Sequence, residues 1–346
     1  MSTQLKSEPF NPNDLAVGDG IYGLPFNVET AAQVIIPVPW EATVSYRQGT
    51  AAGPAAILQA SHQVDLYDSD VVDAWKLGLA IDVISDELVN LNQETRRDAE
   101  SHLATLEAGV TDEALLNRIN ANCERMNEWV RERASLFLGR GKLVYLIGGD
   151  HSTPLGLIQE LAKRGEFGIL HFDAHADLRD AYEGFEYSHA SIMFNVMKLQ
   201  NVSKLVQVGI RDYCEDEVNL VKHSKNRIEM FTDREIKSRQ FDGDSWRTIC
   251  DSIITNLPQR VYVSFDVDGL DPKLCPNTGT PVPGGLDFEQ SIFLIKQVVK
   301  SGRTIIGFDV NEVAPGEDEW DACVGARLVY RIANLAALSN KLQPVV

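Results

Sequence analysis

The chain has little positive charge to offer a polyanion. Its 32 Lys and Arg stand against 50 Asp and Glu, a formal net charge of −18 over 346 residues. Such a balance argues against nucleic-acid or anionic-membrane partners, which need a basic patch. Long apolar runs are missing too, none approaching the roughly 20 residues that cross a bilayer. The opening stretch, MSTQLKSEPFNPNDL, has neither the basic nor the apolar segment of a secretory leader. Cysteine is sparse: Cys123, Cys214, Cys250, Cys275 and Cys323 are scattered and never spaced C-x-x-C. That fits buried thiols in a reducing cytoplasm better than a disulfide framework or a zinc ribbon. No internal repeat, low-complexity linker or excess of polar residues interrupts the chain; 44% hydrophobic and 24% charged is ordinary globular composition.

Turn signals dominate residues 1–33, which read as an irregular N-terminal arm before a single domain over 34–346. The β-branched run at 34–39 suits a strand buried on both faces, and Pro54 suits the first position of a helix. A second strand is expected over 77–83. The polar stretch 86–140 reads as a helical insertion, in which Leu116, Ile119, Cys123, Met126 and Val130 recur at helical spacing. Short apolar runs then recur at 143–147, 168–172, 204–208, 261–265 and 304–310, separated by helical segments such as 291–299 and 322–338. Strands alternating with helices imply an α/β fold with a mostly parallel sheet covered on both faces.

In such a sheet the site lies beyond the carboxyl ends of the strands, so the residues just past each run are the informative ones. Four runs end in Gly148-Gly149-Asp150-His151, Asp173-Ala174-His175-Ala176-Asp177, Asp266-Val267-Asp268 and Phe308-Asp309-Val310-Asn311-Glu312. Alternate residues of an extended chain share a side, so Asp173, His175 and Asp177 can face one point, as can Asp266 and Asp268. Taken singly these features are weak: His151 alone fits a turn histidine, and an Asp pair commonly caps a turn or helix. Together, with His151, they make four carboxylates and two imidazoles, a crowd that cations would neutralise. Mixed oxygen and nitrogen donors without thiolate favour Mn²⁺, with Ni, Co, Fe or Zn as alternatives. Six side chains exceed the usual set for one ion and imply two. His171 is in register with Asp173 but sits inside an apolar run, and reads as a buried residue behind the site.

The motifs GGDHS (148–152), FDAHADL (172–178), SFDVDGLDP (264–272) and TGTPVPGG (278–285) resemble the ureohydrolase family of arginase and agmatinase, with similarity running from about residue 34 to 338. The resemblance implies a three-layer α/β/α fold around about eight strands, the arginase/deacetylase architecture, with two Mn²⁺ per subunit (or Ni²⁺) and hydrolysis of a guanidino C–N bond to release urea. It also implies His151, Asp173, Asp177 and Asp266 at one metal, Asp173, His175, Asp266 and Asp268 at the other, and a homotrimer or homohexamer. His189, in YSHASIM, matches the family's proton-shuttling histidine, with Asp268 as a second acid. Glu312, in NEVAP, matches the glutamate that grips the guanidinium.

The chemistry of these residue types agrees. A hydroxide between two divalent ions is a nucleophile near neutral pH, the leaving nitrogen needs a proton, and a carboxylate can take two guanidinium N–H groups in a fork. Leu178-Arg179-Asp180 stand where arginases carry an asparagine, which points to a small, agmatine-like guanidino substrate, a guanidinoalkanoate or guanidine itself, and away from arginine. Arg179 is similar to the arginine of formimidoylglutamases and could meet a substrate carboxylate, so that activity, or arginase activity on the same scaffold, is the alternative. Tyr182, Phe185, Tyr187 and Trp320 are aromatic candidates for a cation site or for the core. Deacetylation would need an adjacent histidine pair, which is absent. A non-catalytic assembly subunit would have lost a ligand, and none of the six is lost.

Overall fold

The computed structural model describes residues 10–110 and 112–345. Residues 1–9 of the expected arm, residue 111 of the expected insertion and residue 346 lie outside the described residues. Among the described residues, eight strands form one sheet: β1 (Gln33–Val38), β2 (Leu79–Ile81), β3 (Leu143–Gly148), β4 (Phe167–Phe172), β5 (Val202–Ile210), β6 (Ile228–Thr232), β7 (Arg260–Asp266) and β8 (Thr304–Asn311). Every pairing is parallel, in the order β2-β1-β3-β8-β7-β4-β5-β6. The four strands whose ends carry the candidate residues, β3, β8, β7 and β4, are therefore contiguous at the centre.

Among the described residues, ten helices cover the faces. On one side α1 (Gly53–Ser61), α7 (Asp233–Phe241), α8 (Trp246–Ile254), α9 (Phe288–Lys300) and α10 (Trp320–Ser339) bury side chains such as Ile57, Ile236, Ile253, Leu294 and Leu328. On the other lie α2 (Asp86–Glu107), α3 (Glu113–Gly139), α4 (Leu155–Ala162) and α5 (Ile192–Met197), with α6 (Glu215–His223) packed against them through Leu220 and Val221. This is the three-layer α/β/α arrangement expected from the sequence.

Within 86–140, α3 buries Ile119, Cys123, Met126 and Val130 directly against the sheet and α4. Its contact with α4 is close enough that a Cβ on Gly156 would fall 2.3 Å from the Asn127 carbonyl oxygen. In the described part of the arm Leu15 and Val17 are exposed, whereas Ile21 and Tyr22 are buried, the Tyr22 hydroxyl donating to the Ala326 carbonyl at 2.7 Å. β6 went unread because its run, IEMFT, is short and mixed; it pairs only with β5, and an edge strand need not be apolar on both faces. Pro37 is tolerated inside β1 because β2 pairs only as far as Ile35. No helix among the described residues is long and apolar enough to cross a membrane.

Candidate metal centre

The turn after β3 is built on two glycines with no room for a side chain. A Cβ on Gly148 would strike Asn311 and Thr153, and one on Gly149 would lie 1.8 Å from the Trp40 carbonyl oxygen. This tight passage delivers His151, fully buried, to the centre of the site. Its Nδ1 lies 3.0 Å from Asp173 Oδ2, 3.3 Å from Asp266 Oδ2 and 3.4 Å from Asp177 Oδ2. Beside it, His175 Nδ1 sits 3.0 Å from Asp268 Oδ2 and 3.5 Å from Asp173 Oδ1. Two ligand-type clusters result. One joins His151, His171, Asp173 and Asp177, the other Asp173, His175 and Asp268; within each, the donor atoms lie within 4.8 Å of one another. Asp173 belongs to both.

All six side chains expected as ligands thus converge, and Asp266 reaches the first cluster through His151. Backbone strain marks the place: Asp177 and Glu312 hold φ of +54° and +65°, a region that side-chain-bearing residues seldom occupy. The loop carrying Asp268 is pinned by Arg211, whose guanidinium donates to the carbonyls of Asp268, Leu270 and Val282. Arg211 was not legible as part of the site; it follows β5, and its carbonyl partners lie on the distant segment 268–282.

The electrostatics are those of crowded, buried carboxylates and imidazoles. Burial, and then the charge of Asp173, push Asp177 up to about 7. Burial, Asp268 and Asp173 push Asp266 well above the carboxylate range. Asp173 is held well below it: burial opposes, but His171, His151 and His175 outweigh burial. His175 is pushed up to about 12, with burial again overcome, here by Asp268 and Asp173. Acids that hold protons beside imidazoles that hold protons are groups sharing protons where divalent cations would replace them. The donor set fits two such ions: four carboxylates, two imidazoles and no thiolate.

Glu312 is buried at the end of β8, and its Oε1 accepts the His151 backbone N–H at 2.9 Å. Burial and then nearby Asp150 push its carboxyl well above the usual range. His189 lines a cleft of about 170 Å³ together with Ser45, His175, Asp177, Arg179 and Tyr182. Burial and the neighbouring His175 press its ring down to about 4. Arg179 makes no ion pair among the described residues and stacks on Tyr182, its Cζ 4.9 Å from the ring centre. The other aromatic candidates divide: Phe185 is core, Tyr187 is partly buried against that same core, and Trp320 is half exposed with its indole donating to the Lys273 carbonyl.

The family model for the arginase family matches residues 31–334. This chain belongs to the arginase family. Among its relatives, the N(1)-aminopropylagmatine ureohydrolase of Thermus thermophilus is 32% identical over 90% of this chain and 92% of that protein. The agmatinase of Neisseria meningitidis serogroup C is 31% identical over 91% and 92%. Among solved structures, the agmatine ureohydrolase of Thermoplasma volcanium superposes with a TM-score of 0.72, at 22% identity and over 94% of this chain and 96% of that one, a likeness of fold. As an arginase-family member of the agmatinase-like kind, the chain has the binuclear metal dependence of its family, and the two clusters sharing Asp173 are where its residues would meet that need.

Proposed function

We propose that the protein hydrolyses the guanidino C–N bond of a small guanidino compound other than arginine, releasing urea, in the manner of an agmatinase. The observation that carries this is Asp173 standing in both ligand clusters, with Glu312 bonded to the backbone of His151 beside them. His151, Asp173, Asp177 and Asp266 would hold one ion, and Asp173, His175, Asp266 and Asp268 the other; Mn²⁺ suits this donor set best, with Ni²⁺ next. Bound there, such ions supply a hydroxide nucleophile at neutral pH. Glu312 takes guanidinium N–H groups and fixes the carbon that is attacked. His189, neutral at pH 7 with its ring near 4, takes up a proton during turnover and passes it to the leaving nitrogen, with Asp268 as the alternative donor. Relatives named for agmatine and aminopropylagmatine support a substrate with a basic tail.

A second reading comes from Arg179, which lines the cleft and makes no ion pair among the described residues: formiminoglutamate, whose carboxylate such a cation would meet. The test is a panel of agmatine, aminopropylagmatine, guanidinobutyrate, guanidine, arginine and formiminoglutamate, scored by kcat/KM for urea or formamide. A guanidino compound without an α-amino-acid head is expected to lead. A lead by arginine would refute the proposal, and formamide from formiminoglutamate would establish the second reading. A cytoplasmic homotrimer or homohexamer completes the proposal; light scattering giving the 38.4 kDa monomer mass would overturn the oligomer.

A further inference from the structure

Beneath the metal-binding groups, four polar side chains form one line across the sheet. The register pairs Asp309 of β8 with Ser264 of β7, Ser264 with His171 of β4, and His171 with Gln207 of β5. All four are fully buried. Two of them stand two residues before a candidate ligand, Ser264 before Asp266 and His171 before Asp173, so they share its face of the sheet one step lower. The row bonds upward at two points. Ser264 Oγ donates to Asp309 Oδ1 at 3.0 Å and meets His151 Nε2 at 2.8 Å, while His171 Nε2 meets Asp173 Oδ2 at 2.8 Å.

At His171 the direction of the bonds is fixed. Gln207 Nε2 lies 2.7 Å from the Ala176 carbonyl oxygen and 3.0 Å from His171 Nδ1. A carbonyl only accepts, so the amide nitrogen and not its oxygen occupies this position, and its second hydrogen goes to Nδ1. The ring proton is therefore on Nε2, where it is donated to Asp173. Both nitrogens are used, and neither keeps a lone pair for a cation, although His171 falls inside the first ligand cluster.

We infer that His171 is a positioning residue and not a metal ligand: with its tautomer set by Gln207, it donates to Asp173, the carboxylate common to both clusters, and orients it for cation binding. The inference rests on the binuclear reading of the site. The test titrates Mn²⁺ into the metal-stripped full-length protein and follows the free ion by electron paramagnetic resonance. Wild type, His171→Gln, His171→Phe and Gln207→Met are compared. Wild type taking up fewer than about two ions would refute the metal centre itself and leave His171 out of account. With two bound, His171→Gln, whose amide nitrogen reaches the place of Nε2, keeps both ions at nearly unchanged affinity. His171→Phe and Gln207→Met lose about 10- to 100-fold in affinity, with kcat recovering at saturating Mn²⁺ and KM unmoved. Loss of one ion in His171→Gln would make the residue a ligand, and unchanged affinity in Gln207→Met would deny the relay. Neither result depends on the Phe variant, so the inference stays open to refutation even where that variant fails to fold.

Discussion

Replacing Glu312 by glutamine isolates the group proposed to hold the substrate. Oε1 accepts the His151 backbone N–H at 2.9 Å, and Oε2 faces Gly279, where an added methyl group would lie 3.1 Å away. Glutamine keeps the volume, the backbone strain and an oxygen for the His151 bond. The other atom changes from a charged acceptor to an N–H donor, aimed at the donors of a guanidinium. Breaking one side of a buried, hydrogen-bonded charge pair costs roughly 3–5 kcal/mol. At about 1.4 kcal/mol per decade, kcat/KM should fall about 140- to 3,700-fold.

The pH profile carries the same argument. Burial and Asp150 raise the Glu312 carboxyl, so its ionised fraction grows with pH across a range above that of a free carboxylate. A guanidinium binds the ionised form, so wild-type KM should fall as pH rises through that range, and the variant should lack this limb. The assay is urea release, with bound metal measured on the same samples. A Glu312→Gln enzyme with its metal retained and wild-type kcat/KM would refute the role of Glu312.

Asp266→Ala should abolish turnover and metal retention together, whereas His189→Ala should cost about 100-fold and keep its metal; equal metal content and activity in Asp266→Ala would contradict its placement. Because burial and then His175 hold the His189 ring near 4, its protonated form persists only below that pH, and kcat/KM should show no His189 limb near 6.5. Chelation should remove turnover and lower the melting temperature, since the crowded carboxylates lose their counter-charge; elemental analysis of active protein showing a single zinc would sink the binuclear assignment. Gly149→Ala should destabilise by about 3 kcal/mol or more in urea unfolding, because its Cβ would meet the Trp40 carbonyl oxygen at 1.8 Å; wild-type stability would show that the turn can open.

Legibility in the sequence depends on which interactions are local. Asp173, His175 and Asp177 sit on one short segment, so their spacing alone predicts that they share a side, and the structure puts Asp173 within reach of both clusters. The helix through Ile119, Cys123, Met126 and Val130 was legible for the same reason, since its period lies within one element. That this helix covers the sheet and does not stand apart was not legible, because burial depends on β1, β3 and α4, which are distant in the chain. Phe185 as core and Tyr182 as cleft wall differ by three positions and one hydroxyl, which does not say which ring is buried; the packing separates them.

The buried polar row shows a signal that was present and only partly used. A strand buried on both faces is expected to be apolar throughout, because an unpaired polar group there costs roughly 1–3 kcal/mol. LHFDAH and VSFDVD each break that rule once, with His171 and Ser264 two residues before an aspartate of the site. Side chains two apart lie on one face, so such an exception marks a layer directly beneath the ligands. His171 is readable this way from its alternation with Asp173. Ser264, Asp309 and Gln207 are not, since their partners are on other strands, and only the register lines them up across β8, β7, β4 and β5. The layer that aims the metal-binding groups is thus written one step upstream of them, each member readable alone as an anomaly and all of them readable as a device only once the strands are placed side by side.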